Sequence, residues 1–108
     1  TVPARLQLQK AAAACQIPMV HGAIAGYTGQ ITTVFPGDLG LAAIYGQDPT
    51  SERGIETELG NPSATPMMIS AWQSQEVVKI LLEQGEPLRR RMLLFDALSG
   101  DVTEIELA

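Results

Sequence analysis

The sequence predicts an α/β fold, in which helices pack against a mixed sheet that has an antiparallel portion. Two observations support this prediction. Segments of high helical propensity alternate with β-branched segments, and the chain ends in two apolar runs joined by a tight turn, which is typical of a hairpin. The chain has 108 residues, a length that corresponds to one domain or to part of one.

The first half of the chain predicts one helix followed by strands. Arg5–Cys15 contains four consecutive alanines and other good helix formers, and Pro18 ends the segment. An apolar strand begins at Met19, and Ile31–Phe35 is rich in β-branched residues. Between them, glycines at intervals indicate a bulge, a bent strand or a hairpin; these are Gly22, Gly26 and Gly29.

Residues 37–61 show no sustained hydrophobic period and are rich in glycine and acidic residues, so we predict a long loop there. A short helical turn fits Leu39–Tyr45 within it. Loops of this length are unusual inside a compact domain and tend to be functional or mobile. The acidic side chains of the loop follow no known cation-binding spacing, which favours a solvated surface.

A buried helix is predicted over residues 66–84. A hydroxyl residue and a proline suit its start, and Gly85 followed by Pro87 suits its end. Met67–Trp72 is apolar on most sides and is therefore expected to be buried. Further along, polar residues share one stripe and apolar residues the opposite face; the stripe is Gln73, Glu76, Lys79 and Glu83, and the face is Val77, Val78, Leu81 and Leu82.

The last predicted element is a hairpin over residues 92–107. Met92–Phe95 and Val102–Leu107 read as its two strands, and they flank a Ser-Gly-Asp turn. In the second strand, apolar or hydroxyl residues alternate with Glu104 and Glu106. One face of this strand should therefore be buried and the other wet.

The net charge of −5 argues against a nucleic-acid partner, because phosphate binding requires clustered Lys and Arg. The one basic run, Arg89–Arg91, is better explained as the solvated edge of a strand. No apolar run approaches the ~18–20 residues that cross a bilayer, so no membrane association is expected. The single cysteine, Cys15, excludes an intrachain disulfide and fits the reducing cytoplasm.

Few residues are candidates for chemistry. A packed or hydrogen-bonded role is favoured for His21 over a catalytic one, because no triad partner is evident. Cys15 is either a nucleophile or an inert buried thiol, and its place after an alanine-rich helix favours the second. The glycine spacing does not match a dinucleotide-binding loop, and one Cys with one His cannot complete a tetrahedral zinc site. The residues alone therefore predict half of an α/β domain with no active site.

Several segments, in this order and separated by the long loop, resemble the ThiF/MoeB/HesA family of ubiquitin-activating-enzyme-like adenylyltransferases. They are Ala14–Ala23, Gly29–Thr32, Ala71–Leu82, Gly85–Leu88 and Leu93–Gly100. The resemblance implies that residues 1–108 form a single partial domain. That domain would be the C-terminal half of a Rossmann-like activating-enzyme fold, with a long crossover loop and a C-terminal hairpin.

The resemblance also implies that the parent protein is an enzyme. Such enzymes bind ATP and magnesium and adenylate the C-terminal glycine of a ubiquitin-like sulfur-carrier protein, in thiamin or molybdopterin biosynthesis. The ATP-binding glycine loop of the family belongs to a missing N-terminal half, so we expect this isolated chain to be an inactive fragment. Apolar surface should be exposed where that half would pack, with the alanine face of Arg5–Cys15 and the Met67–Trp72 end as candidates, so we also expect a homodimer. The alternatives are a non-catalytic carrier-binding or heterodimer-partner module of the same fold, and a degenerate structural remnant.

The resemblance places the catalytic aspartate just upstream of Thr1, so no catalytic residue is expected in the chain itself. The residues expected next to the nucleotide are Thr1, Val2, Pro3 and Arg5. The long loop would cross over the tail of the carrier, and the expected carrier-binding residues are Gly37, Asp38, Tyr45, Gly60 and Asn61. Many members bind zinc through Cys-x-x-Cys pairs, but no such pair follows Pro36, so no zinc or other metal is predicted in this chain.

Overall fold

The computed structural model describes residues 1–46 and 63–108, and these ranges contain three helices and four strands. In chain order the elements are α1 (Val2–Ala14), β1 (Met19–Ala25), β2 (Thr28–Val34), α2 (Leu41–Tyr45), α3 (Ala64–Leu82), β3 (Arg91–Asp96) and β4 (Asp101–Glu106). The predicted α/β class is confirmed. Most of the predicted 37–61 loop lies outside the described residues, and its first part forms a turn followed by α2.

The four strands form one sheet in the order β1-β2-β3-β4, and every neighbouring pair is antiparallel. The β1–β2 hairpin is in register from Met19 opposite Val34 to Ala25 opposite Thr28. The prediction of a mixed sheet is therefore wrong for the described strands. The expectation that Arg89–Arg91 marks a sheet edge is wrong as well, because β3 lies between β2 and β4.

Helix α1 begins earlier than its propensity alone indicates, because Thr1 caps it. The Thr1 hydroxyl accepts a hydrogen bond from the backbone N–H of Ala4 at 3.2 Å, and Pro3 occupies the first turn, where its missing N–H costs nothing. The helix ends at Ala14, and the residues that follow it are exposed. Cys15 is one of them, so the prediction of a buried thiol is wrong.

Helices cover both faces of the sheet. The core on the α3 side consists of Ile31, Ile69, Leu88 and Phe95. The core on the other side lies under α1 and α2 and consists of Met19, Val34 and Leu41. None of the helices in the described ranges is long and apolar enough to span a membrane.

Two glycines in the β1–β2 hairpin allow α3 to approach the sheet closely. A Cβ atom at Gly22 would lie 2.6–2.7 Å from side-chain atoms of Gln73 and Ile69, and one at Gly29 would lie 2.6 Å from Ile69. These distances are far below van der Waals contact, so a larger residue would displace the helix. Close packing, and not a bend, explains these two glycines, whereas Gly26 adopts a φ of 60° in the turn.

In the second half of α3, the buried and exposed sides are the reverse of the prediction, whereas Ile69 in the first half is buried as expected. The buried residues of α3 are Thr65, Ile69 and Glu76, and its exposed apolar residues include Met67, Val77, Val78, Leu81 and Leu82. Leu81 is 76% exposed and Met67 is 70% exposed, so neither the predicted 66–84 helix nor its Met67–Trp72 end is buried as a whole. The predicted helical period is correct, but the face predicted to be buried is wrong. A polar residue such as Glu76 can be buried when it has hydrogen-bond partners.

Glu76 is fully buried beneath the segment that leads into β3. Its Oε1 accepts a hydrogen bond from the backbone N–H of Leu88 at 2.8 Å. Its Oε2 lies 3.0 Å from Nζ of Lys79 in an ion pair that lacks hydrogen-bond geometry. Leu88 is thereby held beside β2, where its carbonyl accepts hydrogen bonds from the backbone N–H of Thr33 and the hydroxyl of Thr32.

Strands β3 and β4 form an antiparallel hairpin, in register from Arg91 opposite Glu106 to Asp96 opposite Asp101. The expected burial of one face of β4 is correct only in part. Ile105 is half-buried, and the rest of β4 is exposed.

Replacing Glu76 by alanine should lower the free energy of unfolding by roughly 3 kcal/mol, because the buried N–H of Leu88 loses its acceptor. Glu76→Gln keeps an acceptor oxygen and should cost less. The control, Glu104→Ala, breaks an exposed ion pair with Arg91 and should cost less than about 1 kcal/mol. Urea denaturation measures all three, and equal losses for Glu76→Ala and Glu104→Ala would contradict the anchoring role of Glu76.

Candidate functional site

Four polar side chains meet on the side of the sheet that α1 and α2 cover. They come from four different elements and form the Arg5–Tyr45 cluster, which consists of Arg5, His21, Gln30 and Tyr45. Nη1 of Arg5 donates a hydrogen bond to the hydroxyl oxygen of Tyr45 at 3.1 Å, and Nε2 of Gln30 donates to the same oxygen at 2.6 Å. Nε2 of Gln30 also lies 3.2 Å from Nε2 of His21.

His21 forms the buried end of this cluster. It is 5% exposed, and its ring meets the ring of Tyr45 edge to face, with the centroids 6.2 Å apart. Burial, and to a lesser degree the charge of Arg5, lowers the pKa of His21 from 6.5 to about 4. The imidazole is therefore neutral at pH 7, and Nε2 accepts from the Gln30 amide while Nδ1 carries the proton. The predicted packed and hydrogen-bonded role of His21 is confirmed.

Helix α2 is fixed to α1 by a second polar contact. Oε1 of Gln9 accepts a hydrogen bond from the backbone N–H of Leu41 at 2.7 Å, and Nε2 of Gln9 donates to the carbonyl of Leu39 at 3.1 Å. Gln9 lies one helical turn after Arg5 on α1. The start of α2 is therefore held by Gln9 and its end by Arg5.

The residues expected next to the nucleotide lie at the start of α1. Thr1 is exposed and caps the helix, Val2 is buried, and Pro3 is half-buried in the first turn. Arg5 follows and joins the cluster through Tyr45. The structure thus brings together Arg5, expected on the nucleotide side, and Tyr45, expected on the carrier side.

The other expected carrier-binding residues are not part of this cluster. Gly37 is exposed in the turn after β2 and adopts a φ of 93°. Asp38 follows it and is engaged by arginines that precede β3. Gly60 and Asn61 lie outside the described residues.

Asp38 ties the turn after β2 to the segment before β3. Nε and Nη2 of Arg89 donate hydrogen bonds to its carboxylate at 2.8 and 3.1 Å, and Nε of Arg90 lies 3.4 Å from Oδ1. Hydrogen bonding to Arg89 holds the pKa of Asp38 below its ordinary value, and Asp38 raises the pKa of Arg89 in turn. The Arg89 guanidinium also lies 4.7 Å from the centroid of the Phe35 ring. The basic run therefore has a structural partner.

Comparison with known proteins shows the family. The sequence model of the ThiF family matches residues 1–108, which is the whole chain. The chain belongs to the ThiF family. A SAMP-activating enzyme E1 of Haloferax volcanii is 34% identical to this ThiF-family chain in an alignment of 85 residues, which covers 76% of the chain and 31% of that protein.

A second relative is the adenylyltransferase and sulfurtransferase MOCS3 of Arabidopsis thaliana. It is 31% identical in an alignment of 107 residues, which covers 97% of the ThiF-family chain and 23% of that protein. The chain therefore spans less than a third of the length of either relative. Among solved structures, the heterocyclase TruD matches 98% of the chain and 19% of its own length, with a TM-score of 0.50 and 13% identity. At this identity the likeness concerns the fold alone.

In the two described ranges, no group of three or more His, Cys, Asp or Glu side chains is placed to hold a metal ion. Cys15 is exposed beyond α1, whereas His21 is buried beside Gln30. The absence of zinc stays a prediction.

Sequence reasoning did not identify Gln30 as a member of the cluster. The available signal was the hairpin register, because a turn after Ala25 places Gln30 opposite Ala23 and diagonal to His21 on the same face. The contact between Arg5 and Tyr45 has no comparable signal, since 40 positions separate the two residues along the chain.

Lowering the pH from 7 to 4 should destabilise the chain by up to about 3 kcal/mol through His21. The unfolded imidazole takes up a proton near pH 6.5 and the buried one near pH 4, so the unfolded state binds more protons between these values and stability falls with pH. In His21→Gln this contribution is removed. Unfolding free energies measured in urea from pH 4 to pH 7 should therefore vary less in the variant; an unchanged slope would contradict the role of His21.

Proposed function

We propose that this chain is the carrier-binding half of an ATP-dependent adenylyltransferase, which activates the C-terminal glycine of a ubiquitin-like sulfur-carrier protein for thiamin- or molybdopterin-type sulfur transfer. The observation that carries the proposal is the match of the ThiF family to the whole chain. The names of the relatives support it, since one is a SAMP-activating E1 enzyme and another an adenylyltransferase and sulfurtransferase. The proposal includes an N-terminal half that supplies most of the ATP site. It also places the whole enzyme in the cytoplasm.

Arg5 is the residue that we assign to the nucleotide. It lies near the start of α1, where backbone N–H groups lack intrahelical partners and the first turn holds no acidic residue. A guanidinium and a helix N-terminus both contribute positive potential, so this region favours an anion. Arg5 can therefore donate hydrogen bonds to phosphate or carboxylate oxygens and stabilise the negative charge that develops as they react.

The proposed reaction uses ATP and magnesium. ATP would supply the α-phosphate that the carrier carboxylate attacks and the pyrophosphate that leaves. The anionic part of ATP fits Arg5 and the start of α1, beside Thr1, Val2 and Pro3. Magnesium usually binds one or two carboxylates together with substrate phosphates, so the phosphates of ATP would supply part of its coordination. We propose that the remaining magnesium ligands lie outside the described residues and that the catalytic aspartate directly precedes Thr1.

The carrier-binding loop over residues 37–61 is also a proposal. In its described part, Asp38 is fixed by Arg89 and Tyr45 by Arg5 and Gln30. A carrier tail that crosses this part would therefore meet preformed side chains. Such preorganisation reduces the entropy lost when the carrier binds.

We further propose that the protein forms a homodimer. Helix α3 exposes a row of apolar side chains at helical spacing, which includes Met67, Val78 and Leu81. Contiguous apolar surface on a folded protein usually marks an interaction site. A second copy of the protein would cover this surface.

Arg5→Ala should reduce carrier-dependent adenylation on the order of 100-fold, because a positioned donor to the developing charge is lost. Lys10→Ala is the matched control, since Lys10 is an exposed cation on the same helix. The measurement is the exchange of pyrophosphate into ATP by the full-length protein, with ubiquitin-like carriers that end in glycine. Carrier binding without any exchange would instead favour a non-catalytic carrier-binding or heterodimer-partner module.

Sedimentation velocity should show that this chain is a dimer, and the double variant Met67→Glu/Leu81→Glu should be a monomer, because it places four like charges in the interface of each dimer. Leu98→Glu is the control, since Leu98 is 73% exposed in the turn between β3 and β4. A wild-type chain that stays monomeric at high concentration would rule out a homodimer through α3.

A further inference from the structure

The hydroxyl group of Tyr45 joins the two parts of the Arg5–Tyr45 cluster. Its oxygen accepts one hydrogen bond from Arg5 and another from Gln30, so it links a half-buried cation to the interior of the sheet. A phenylalanine ring could fill the same space, keep the edge-to-face contact with His21 and keep the cation–π contact with Arg5, whose Cζ lies 6.0 Å from the ring centroid. It could not accept the hydrogen bond from the guanidinium. The hydroxyl therefore has a role that packing alone does not explain.

Gln30 and His21 provide a rigid support for this hydroxyl. Gln30 belongs to β2, which is paired with a strand on each side, and its amide nitrogen is held between Tyr45 and His21. His21 is uncharged at neutral pH, so Arg5 is the one positive charge among the four side chains. No second cation in the cluster repels the guanidinium from this position.

The position of Tyr45 is fixed by α2 as well as by its own hydrogen bonds. Arg5 and Gln9 are four residues apart on α1, and their partners Leu41 and Tyr45 are four residues apart on α2. Residues at this spacing share a helix face, so the two contacts lie side by side along the α1–α2 interface. A shift of α2 that moved Tyr45 away from Arg5 would also break the hydrogen bonds of Gln9.

We propose that Tyr45 is a positioning residue that orients the Arg5 guanidinium toward the oxygens of the α-phosphate, with Gln30 and His21 as its support. These oxygens carry negative charge while the carrier carboxylate forms its bond to phosphorus and the bond from phosphorus to the leaving pyrophosphate breaks. This inference rests on the proposed function and adds a requirement to it, because the orientation of Arg5 is needed as well as its charge. A guanidinium that is already oriented loses little freedom as the transition state forms. The benefit should therefore appear in the rate of transfer more than in binding.

The test compares Tyr45→Phe with Tyr27→Phe in the full-length protein, by carrier-dependent formation of the acyl-adenylate. Tyr27 is an exposed tyrosine in the turn between β1 and β2, which makes it the matched control. Tyr45→Phe should lower kcat roughly 10- to 100-fold, while the KM for ATP stays close to that of the wild type and the protein remains folded at the assay temperature. Tyr27→Phe should leave kcat unchanged, and wild-type kcat in Tyr45→Phe would overturn the proposal.

A double variant separates positioning from a general structural effect. Once Arg5 is replaced by alanine, the Tyr45 hydroxyl has no guanidinium to hold. Arg5→Ala/Tyr45→Phe should therefore be no slower than Arg5→Ala alone. Losses that add in full, or a Tyr45→Phe loss that appears only in KM, would overturn the proposal.

A second measurement does not depend on catalysis. Hydrogen exchange of the Arg5 guanidinium protons, followed by NMR, should be roughly tenfold faster in Tyr45→Phe than in the wild type, because one hydrogen bond is lost. If the wild-type protein forms no adenylate but exchange is still faster in Tyr45→Phe than in the wild type, the proposed function is wrong. The hydrogen bond between Tyr45 and Arg5 is then supported independently of that function. Unchanged exchange would show that Tyr45 does not hold Arg5.

Discussion

The buried carboxylate of Glu76 determines how helix α3 and the C-terminal hairpin fit together. It accepts a hydrogen bond from the backbone N–H of Leu88, which lies in the connection between them. The carbonyl of Leu88 in turn accepts a hydrogen bond from the backbone N–H of Thr33 in β2. Strand β3 therefore enters the sheet at a defined register beside β2. The β1–β2 hairpin is held between α3 on one face and the Arg5–Tyr45 cluster on the other, so the geometry of the candidate site depends indirectly on this carboxylate.

Local patterns in the sequence identify the helices and strands better than they identify which side is buried. The apolar period locates α3, but it assigns Val77 and Leu81 to the core, because hydrophobicity scales treat Glu76 as a surface residue. The burial of Glu76 is favourable because it accepts a hydrogen bond from a backbone N–H in the segment after the helix. Residue types alone do not reveal such a backbone partner. The same limitation applies to Asp38, because its arginine partners come after α3 in the sequence, and Arg89 is 51 positions away.

The sequence predicts some residues of the candidate site, but it does not predict which of them contact one another. The family resemblance assigns Arg5 to the nucleotide and Tyr45 to the carrier, as separate residues of separate segments. The structure joins them by one hydrogen bond and places Gln30 and the neutral His21 behind it. These contacts depend on the register of one hairpin and on the docking of a five-residue helix, and neither is determined by local sequence preferences.

The two outer strands of the sheet differ in how they would receive another strand. Among the described residues, β1 and β4 are each paired on one side, which leaves a row of backbone N–H and C=O groups on the other. Strand β4 contains Asp101, Glu104 and Glu106, whose charges oppose further pairing, whereas β1 contains no Asp, Glu, Lys or Arg. The sheet can therefore be extended at β1 far more easily than at β4, and a parallel strand added there would make it a mixed sheet.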